Sequence, residues 1–181
     1  MTKKGLFNWA VWIGLCGGIY SAIYVMSPLF KVGIMWMSFI ALPIYFNAGA
    51  KKSEYFDYVA SMIMGVVWGV GMLYFIEVVA NNGVALNVSM GVVVGIGTIA
   101  CCAIHFCLTG NFLVNRVPMM FGAIACTFSQ GGKNLIFIIL TMFCGITLGL
   151  IMQEGIKLLN EDGTWKFLAK DLKKENYIDN M

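Results

Sequence analysis

The sequence predicts an all-α integral membrane protein: six transmembrane helices built as two inverted three-helix repeats, with both termini in the cytoplasm. Three observations lead there. Of the 181 residues, 60% are apolar and 12% charged, against roughly 25% charged in a soluble domain. The charges gather at Lys3–Lys4, at Lys51–Asp57 and from Glu154 onward, which leaves long uncharged tracts between them. Two blocks of sequence also recur at fixed spacing. This composition excludes a soluble enzyme, a disordered tail protein and a nucleic-acid-binding module.

A helix needs about 20 apolar residues to cross a hydrocarbon core about 30 Å thick. The uncharged tracts Gly5–Phe30, Val32–Ala50 and Tyr58–Ile76 supply the first three spans. The fourth, Val84–Leu108, is set off by the turn-forming runs Asn81-Asn82-Gly83 and Thr109-Gly110-Asn111. Val117–Gly132 is a short fifth span and Asn134–Gln153 a sixth. No tract alternates as a barrel strand would, and lipid-embedded backbone must satisfy its own hydrogen bonds, so the spans are expected to be helices. With the N-terminus inside, the cytoplasmic segments hold Lys3, Lys4, Lys51, Lys52, Arg116, Lys157, Lys166, Lys170, Lys173 and Lys174, against only Lys31 and Lys133 outside. The first span is too long for a signal-peptide core and lacks a small-x-small cleavage site, while Leu15 before Cys16 argues against lipoprotein processing. It is expected to remain in the mature chain. The membrane domain covers residues 1–158 and a cytoplasmic tail covers 159–181. In the tail, Trp165, Leu168, Ala169 and Leu172 recur at helical spacing among lysines, as in an amphipathic helix on an anionic leaflet, with Thr164 as its N-cap.

The duplication is read from Ser61-Met62-x-x-Gly65-x-x-x-Gly69-x-x-Met72, which matches Thr141-Met142-x-x-Gly145-x-x-x-Gly149-x-x-Met152 at an offset of 80. Upstream, Phe46-x-x-Gly49-x-Lys51 matches Phe128-x-x-Gly131-x-Lys133 at an offset of 82. Repeat one covers about residues 6–80 and repeat two about 84–158. An odd number of spans per copy makes the second copy enter from the opposite side, the arrangement typical of secondary transporters. Gly65, Gly69, Gly145 and Gly149 are expected to form close-packing helix faces, as is the Gly91-x-x-x-Gly95 pair of the fourth span.

The segments ahead of the repeated lysines are unusual. The second span holds Pro43 and ends in Tyr45-Phe46-Asn47-Ala48-Gly49; the fifth begins at Pro118 and ends in Thr127-Phe128-Ser129-Gln130-Gly131-Gly132. An aromatic beside amide or hydroxyl groups and glycine can narrow a path and replace lost water contacts. The same residues would also serve as ordinary interfacial helix ends with a glycine C-cap. The stretch Val117–Met152, centred on Phe128–Gly132, resembles a family of small bacterial inner-membrane proteins of unknown function typified by the enterobacterial protein YcdZ. The resemblance covers residues of about 8 to 158. It departs at Asn47-Ala48, where a Ser-Gln pair would stand in the first copy. It implies a multi-pass protein of the bacterial cytoplasmic membrane and carries no activity with it.

Ionisable residues at membrane depth are costly, so they are tested first for function. Glu77 closes the third span near the outer interface, and His105 lies one turn from the inner end of the fourth. Each is a candidate for gating or a proton relay; a hydrated carboxylate and a hydrogen-bonded packing histidine are the plainer readings. Cys101, Cys102 and His105 can share a helix face, yet no further ligand completes a metal site. The remaining cysteines, Cys16, Cys107, Cys126 and Cys144, also lie within spans, where a free thiol is a small apolar residue. No paired carboxylate or nucleophile with a positioned base is present, so neither an enzyme nor a cofactor is expected.

The expected function is a channel or facilitative transporter for a small neutral or weakly charged solute. Asn47, Ser129 and Gln130 would supply hydrogen bonds, Phe46 and Phe128 the constriction, and Gly131 the turn. The alternative is a non-transporting membrane subunit or interaction protein using its glycine faces and cationic tail. Lipid and further copies of the chain are the expected partners, and nucleic acid is not. A polar path past Gln130 would favour transport; a core packed dry through the midplane would favour the alternative.

Overall fold

The computed structural model describes residues 1–32, 34–109 and 112–167, and its regular elements there are helical. Helix α1 runs Lys3–Met26, α2 Ser38–Asn47, α3 Tyr55–Asn81, α4 Leu86–Ala103, α5 Val117–Ser129 and α6 Leu135–Glu154. Four stretches are long and apolar enough to cross a membrane: Lys3–Met26, Lys52–Asn81, Leu86–Leu108 and Leu135–Leu158. The second and fifth apolar segments are helical over only Met35–Asn47 and Val117–Ser129. At about 1.5 Å per residue those 13-residue stretches reach roughly 20 Å, short of the hydrocarbon thickness. Ahead of α2, Ser27 caps α1 and Pro28 opens a 3₁₀ turn, so the chain bends where uncharged sequence alone predicts continuous helix.

Helices α3 and α5 form one large interface, and α2 and α6 the other. Glycines make both possible. A Cβ on Gly65 would collide with the Met120 carbonyl, and one on Gly145 with the Ser38 carbonyl. A turn further on, a Cβ on Gly69 would lie 2.7 Å from Thr127, and one on Gly149 3.4 Å from Tyr45. Contact positions rise together along both partners, so each pair is parallel. The outer helices pair antiparallel: Gly97 of α4 packs on Met72 of α3, and Gly17 of α1 on Met152 of α6. Every one of these contacts has a counterpart in the other half, at an offset of 80 for α1, α3 and α6 positions and 82 for α2 positions.

Between the two large interfaces lies an apolar seam. Met37, Ala41, Met62, Val66, Met119, Ala123, Met142 and Ile146 belong to one buried cluster, and of these Ala41, Met62, Met119, Ala123, Met142 and Ile146 have no exposed surface. Buried hydroxyls beside it find partners: Thr127 donates to the Ala123 carbonyl within α5 at 2.8 Å, and Tyr24 of α1 shares a 2.8 Å bond with Thr141 of α6.

Two expectations change. Gly91 and Gly95 meet nothing within 4 Å, because α4 turns Ser89, Gly97 and Cys101 inward instead. They therefore do not pack helices within this chain. The first part of the tail is also structured: Leu159 bridges Trp165, and the turn between them docks on the start of α1. There the Asn8 amide donates to the Gly163 carbonyl at 2.8 Å and the Thr2 hydroxyl to the Asp162 carbonyl at 3.2 Å. The amphipathic helix expected through Leu168, Ala169 and Leu172 lies outside the described residues.

Candidate functional site

The two glycine turns share one geometry. In the first, the Gly49 amide donates to the Phe46 carbonyl at 2.9 Å and the Ala50 amide to the Tyr45 carbonyl at 3.1 Å. In the second, the Gly131 amide donates to Phe128 at 2.9 Å and the Gly132 amide to Thr127 at 3.0 Å. This is the Schellman arrangement that ends a helix by taking up its last carbonyls. It requires left-handed backbone, found at Gly49 (φ 91°) and at Gly131 (φ 55°), each followed by a second positive-φ residue, Ala50 and Gly132.

The structure does not bring the two turns together. Tyr45, in the first turn, packs with its ring tilted against Tyr58 near the start of α3, whereas Gly132 sits against Leu73. From Tyr55, where α3 begins, to Leu73 is roughly 27 Å along the helix. Phe46 stacks on Trp9, with ring centroids 5.5 Å apart, and Asn47 is exposed. Phe128 is half-buried, Ser129 is exposed and donates to the Cys126 carbonyl at 2.8 Å, and the Gln130 amide reaches only the neighbouring Ser129 carbonyl at 3.3 Å. Gly131 is exposed.

His105 stands in a π-helical turn, Ile104–Leu108, that continues α4. It is buried and held at both nitrogens. Its Nε2 accepts from the Trp68 indole at 3.1 Å, and its Nδ1 faces the Val114 carbonyl at 2.8 Å and the Thr109 hydroxyl at 3.1 Å. Accepting from Trp68 requires an unprotonated Nε2, which places the ring proton on Nδ1, aimed at Val114. Glu77 is exposed on the last turn of α3. Among the described residues no group of three His, Cys, Asp or Glu side chains could hold a metal ion.

An apolar groove of about 790 Å³ lies between α3 and α4, lined by Trp68, Met72, Phe75, Ile96 and Gly97 with His105 at one end. A smaller one of about 370 Å³ lies between α1 and α6 at Cys16, Tyr20, Cys144 and Thr147.

Sequence reasoning missed a network of charges at the end of the bundle where α2 stops and α3 starts. Arg116 pairs with Glu54 at 3.2 Å and Asp57 at 3.3 Å while lying over the Tyr58 ring, 5.3 Å from its centroid. Its backbone amide donates to Ser61 at 3.0 Å. Lys51 pairs with Glu54, and Glu154 receives both Lys52 at 3.1 Å and Lys157 at 2.8 Å. The counts of charge were visible, but pairings across about sixty residues carry no local signal.

The long apolar helices define an all-α membrane protein. A family of proteins of unknown function, DUF1097, matches residues 10–157, and the chain belongs to that family. No curated protein and no solved structure matches.

Proposed function

We propose that the chain crosses the bacterial cytoplasmic membrane six times as two inverted three-helix repeats, with both termini cytoplasmic, and that its kinship extends to the YcdZ-like inner-membrane proteins. Pairing directions support the six passes. A chain that reverses at each crossing makes α3 parallel to α5 and α2 parallel to α6, with α1–α6 and α3–α4 antiparallel. The matched contacts of the halves support the duplication. The gathering of Lys51, Lys52, Arg116 and Lys157 with the N-terminus at one end supports the orientation.

The activity favoured is that of a non-transporting, non-enzymatic membrane subunit or interaction protein that engages lipid and further copies of itself. The dry seam carries this reading: a solute passing between the halves would have to displace Met62, Met119 and Met142, all without exposed surface. The outer helices α1 and α4 suit the role, since their apolar windows are only 6% and 17% buried.

A second reading, facilitated transport of a small neutral or weakly charged solute, is favoured by the correspondence between the halves. Inverted repeats commonly rock against each other in carriers, and flexible methionines at the seam would ease repacking. In that case Phe46 and Asn47 act at one mouth, and Phe128, Ser129, Gln130 and Gly131 at the other, with Glu77 beyond them. Stopped-flow swelling of reconstituted vesicles with a panel of small neutral solutes separates the two. Rates equal to those of empty vesicles are expected. A solute-specific flux that falls in Phe128→Ala or Gln130→Ala overturns the first reading in favour of the second.

A further inference from the structure

We propose that the groove between the α2–α3 turn and the end of α6 binds the phosphate of an anionic phospholipid, with Lys52 and Lys157 as donors and Glu154 as the intramolecular anion that holds the seat. The open groove has a volume of about 390 Å³ and is lined by Lys51, Lys52, Ser53, Glu154, Ile156 and Lys157. Lys51 is paired with Glu54, while Lys52 and Lys157 share the single carboxylate of Glu154. That carboxylate takes Lys52 on Oε2 and Lys157 on Oε1, an arrangement in which one anion is clamped between two cations. The lysine side chains are 64% and 68% exposed. Ion pairs so exposed contribute little to stability, so exchanging Glu154 for another anion costs the fold little.

The depth of the groove selects a lipid rather than a free anion. Just below it, the Trp9 indole donates to the Met152 carbonyl at 3.0 Å and the Trp12 indole to the Ile151 carbonyl at 3.1 Å. Tryptophan marks the level of lipid headgroups. Ile151 is exposed one turn beneath Glu154, so acyl chains can run down α6 from a headgroup in the groove. Basic pockets at this depth between membrane helices bind anionic headgroups. The site does not depend on which leaflet it faces or on whether the protein transports.

The test is native mass spectrometry of the full chain in detergent, titrated with phosphatidylglycerol and, separately, with phosphatidylcholine. Phosphatidylglycerol is expected to bind preferentially, and Lys52→Ala/Lys157→Ala to weaken it by about tenfold. Glu154→Gln, which removes the competing anion and preserves shape, is expected to strengthen it severalfold, an effect a merely structural ion pair would not give. Lys133→Ala, at the far end of the bundle, should leave binding unchanged. Equal affinity for both lipids, or unchanged binding in both the lysine and the Glu154 variants, overturns the site. Displacement of the lipid by millimolar inorganic phosphate shows a site for free phosphate and overturns the lipid assignment.

Discussion

At the scale of single residues, the membrane core is decided by where side chains are missing. Gly65 and Gly145 let backbone touch backbone, and a methyl at either would drive into a carbonyl that belongs to a packed helix and cannot turn aside. Gly65→Ala and Gly145→Ala should each destabilise the bundle by about 1–3 kcal/mol, the usual cost of overpacking. Gly91→Ala meets open space and should shift stability by less than about 0.5 kcal/mol. Denaturant titration of tryptophan fluorescence in mixed micelles measures all three, and equal effects at Gly65 and Gly91 would refute the close approach. All three glycines sit in the same small-x-x-x-small spacing in the sequence. The motif reports that a face is narrow, whereas whether a neighbour fills it is settled by tertiary packing, and at α4 none within the chain does. His105 shows the same division. Its rarity made it visible, yet the bonds that satisfy it, to Trp68 of α3 and to Val114 ahead of α5, arise only in the folded chain.

At the scale of elements, hydropathy located the apolar segments but not their conformation. Val32–Ala50 is uncharged throughout, yet its α-helix begins only at Ser38. Transfer to lipid rewards apolar side chains whatever the backbone does, and the irregular start is tolerated where it lies against protein, as residues 35–37 do against α6. The glycine turns were legible as chain reversals and as glycine C-caps of α2 and α5; their separation to opposite ends of α3 was not. The turn at residues 159–165 was missed because its partners, Thr2 and Asn8, lie at the other end of the sequence. Asp162 holds that turn together. Hydrogen bonds from the Thr164 hydroxyl and backbone amide keep its carboxyl below the ordinary 3.8. A depressed carboxylate stabilises the fold above its unfolded value, and the contribution disappears as pH falls through the folded one. Amide hydrogen-exchange protection at residues 159–165, measured against the intrinsic rate at each pH, should therefore stay high at neutral pH and fall below about pH 4. Asp162→Ala should show the low protection at every pH; unchanged protection would mean that the carboxylate does not hold the turn.

At the scale of the whole molecule, the question left by two short helices is whether they cross the bilayer or turn back within it. Ser38 stands beside Gly145, near the middle of α6, and α2 then runs parallel to α6 toward its charged end. The α-helix thus occupies one half of the thickness, and residues 27–32 and 34–37 lie between the end of α1 and its start. In the other half Met120 stands beside Gly65 in the corresponding way. A re-entrant α2 would return to the end where α1 finishes, but its last turn lies beside Trp9 at the start of α1. That contact supports the full crossing proposed above, which sets a pattern for reporter fusions in a bacterial host. A phosphatase active only outside the cytoplasm should work when fused after Asn82 or Lys133 and fail after Ser53 or Arg116, while a fluorescent protein should light at either terminus. Activity after Ser53 would make α2 re-entrant and break the correspondence between the halves, since the two copies would then cross the membrane differently. A reversed pattern throughout would keep the six crossings and the paired contacts but invert the orientation, turning the Arg116 network and the lysine groove outward.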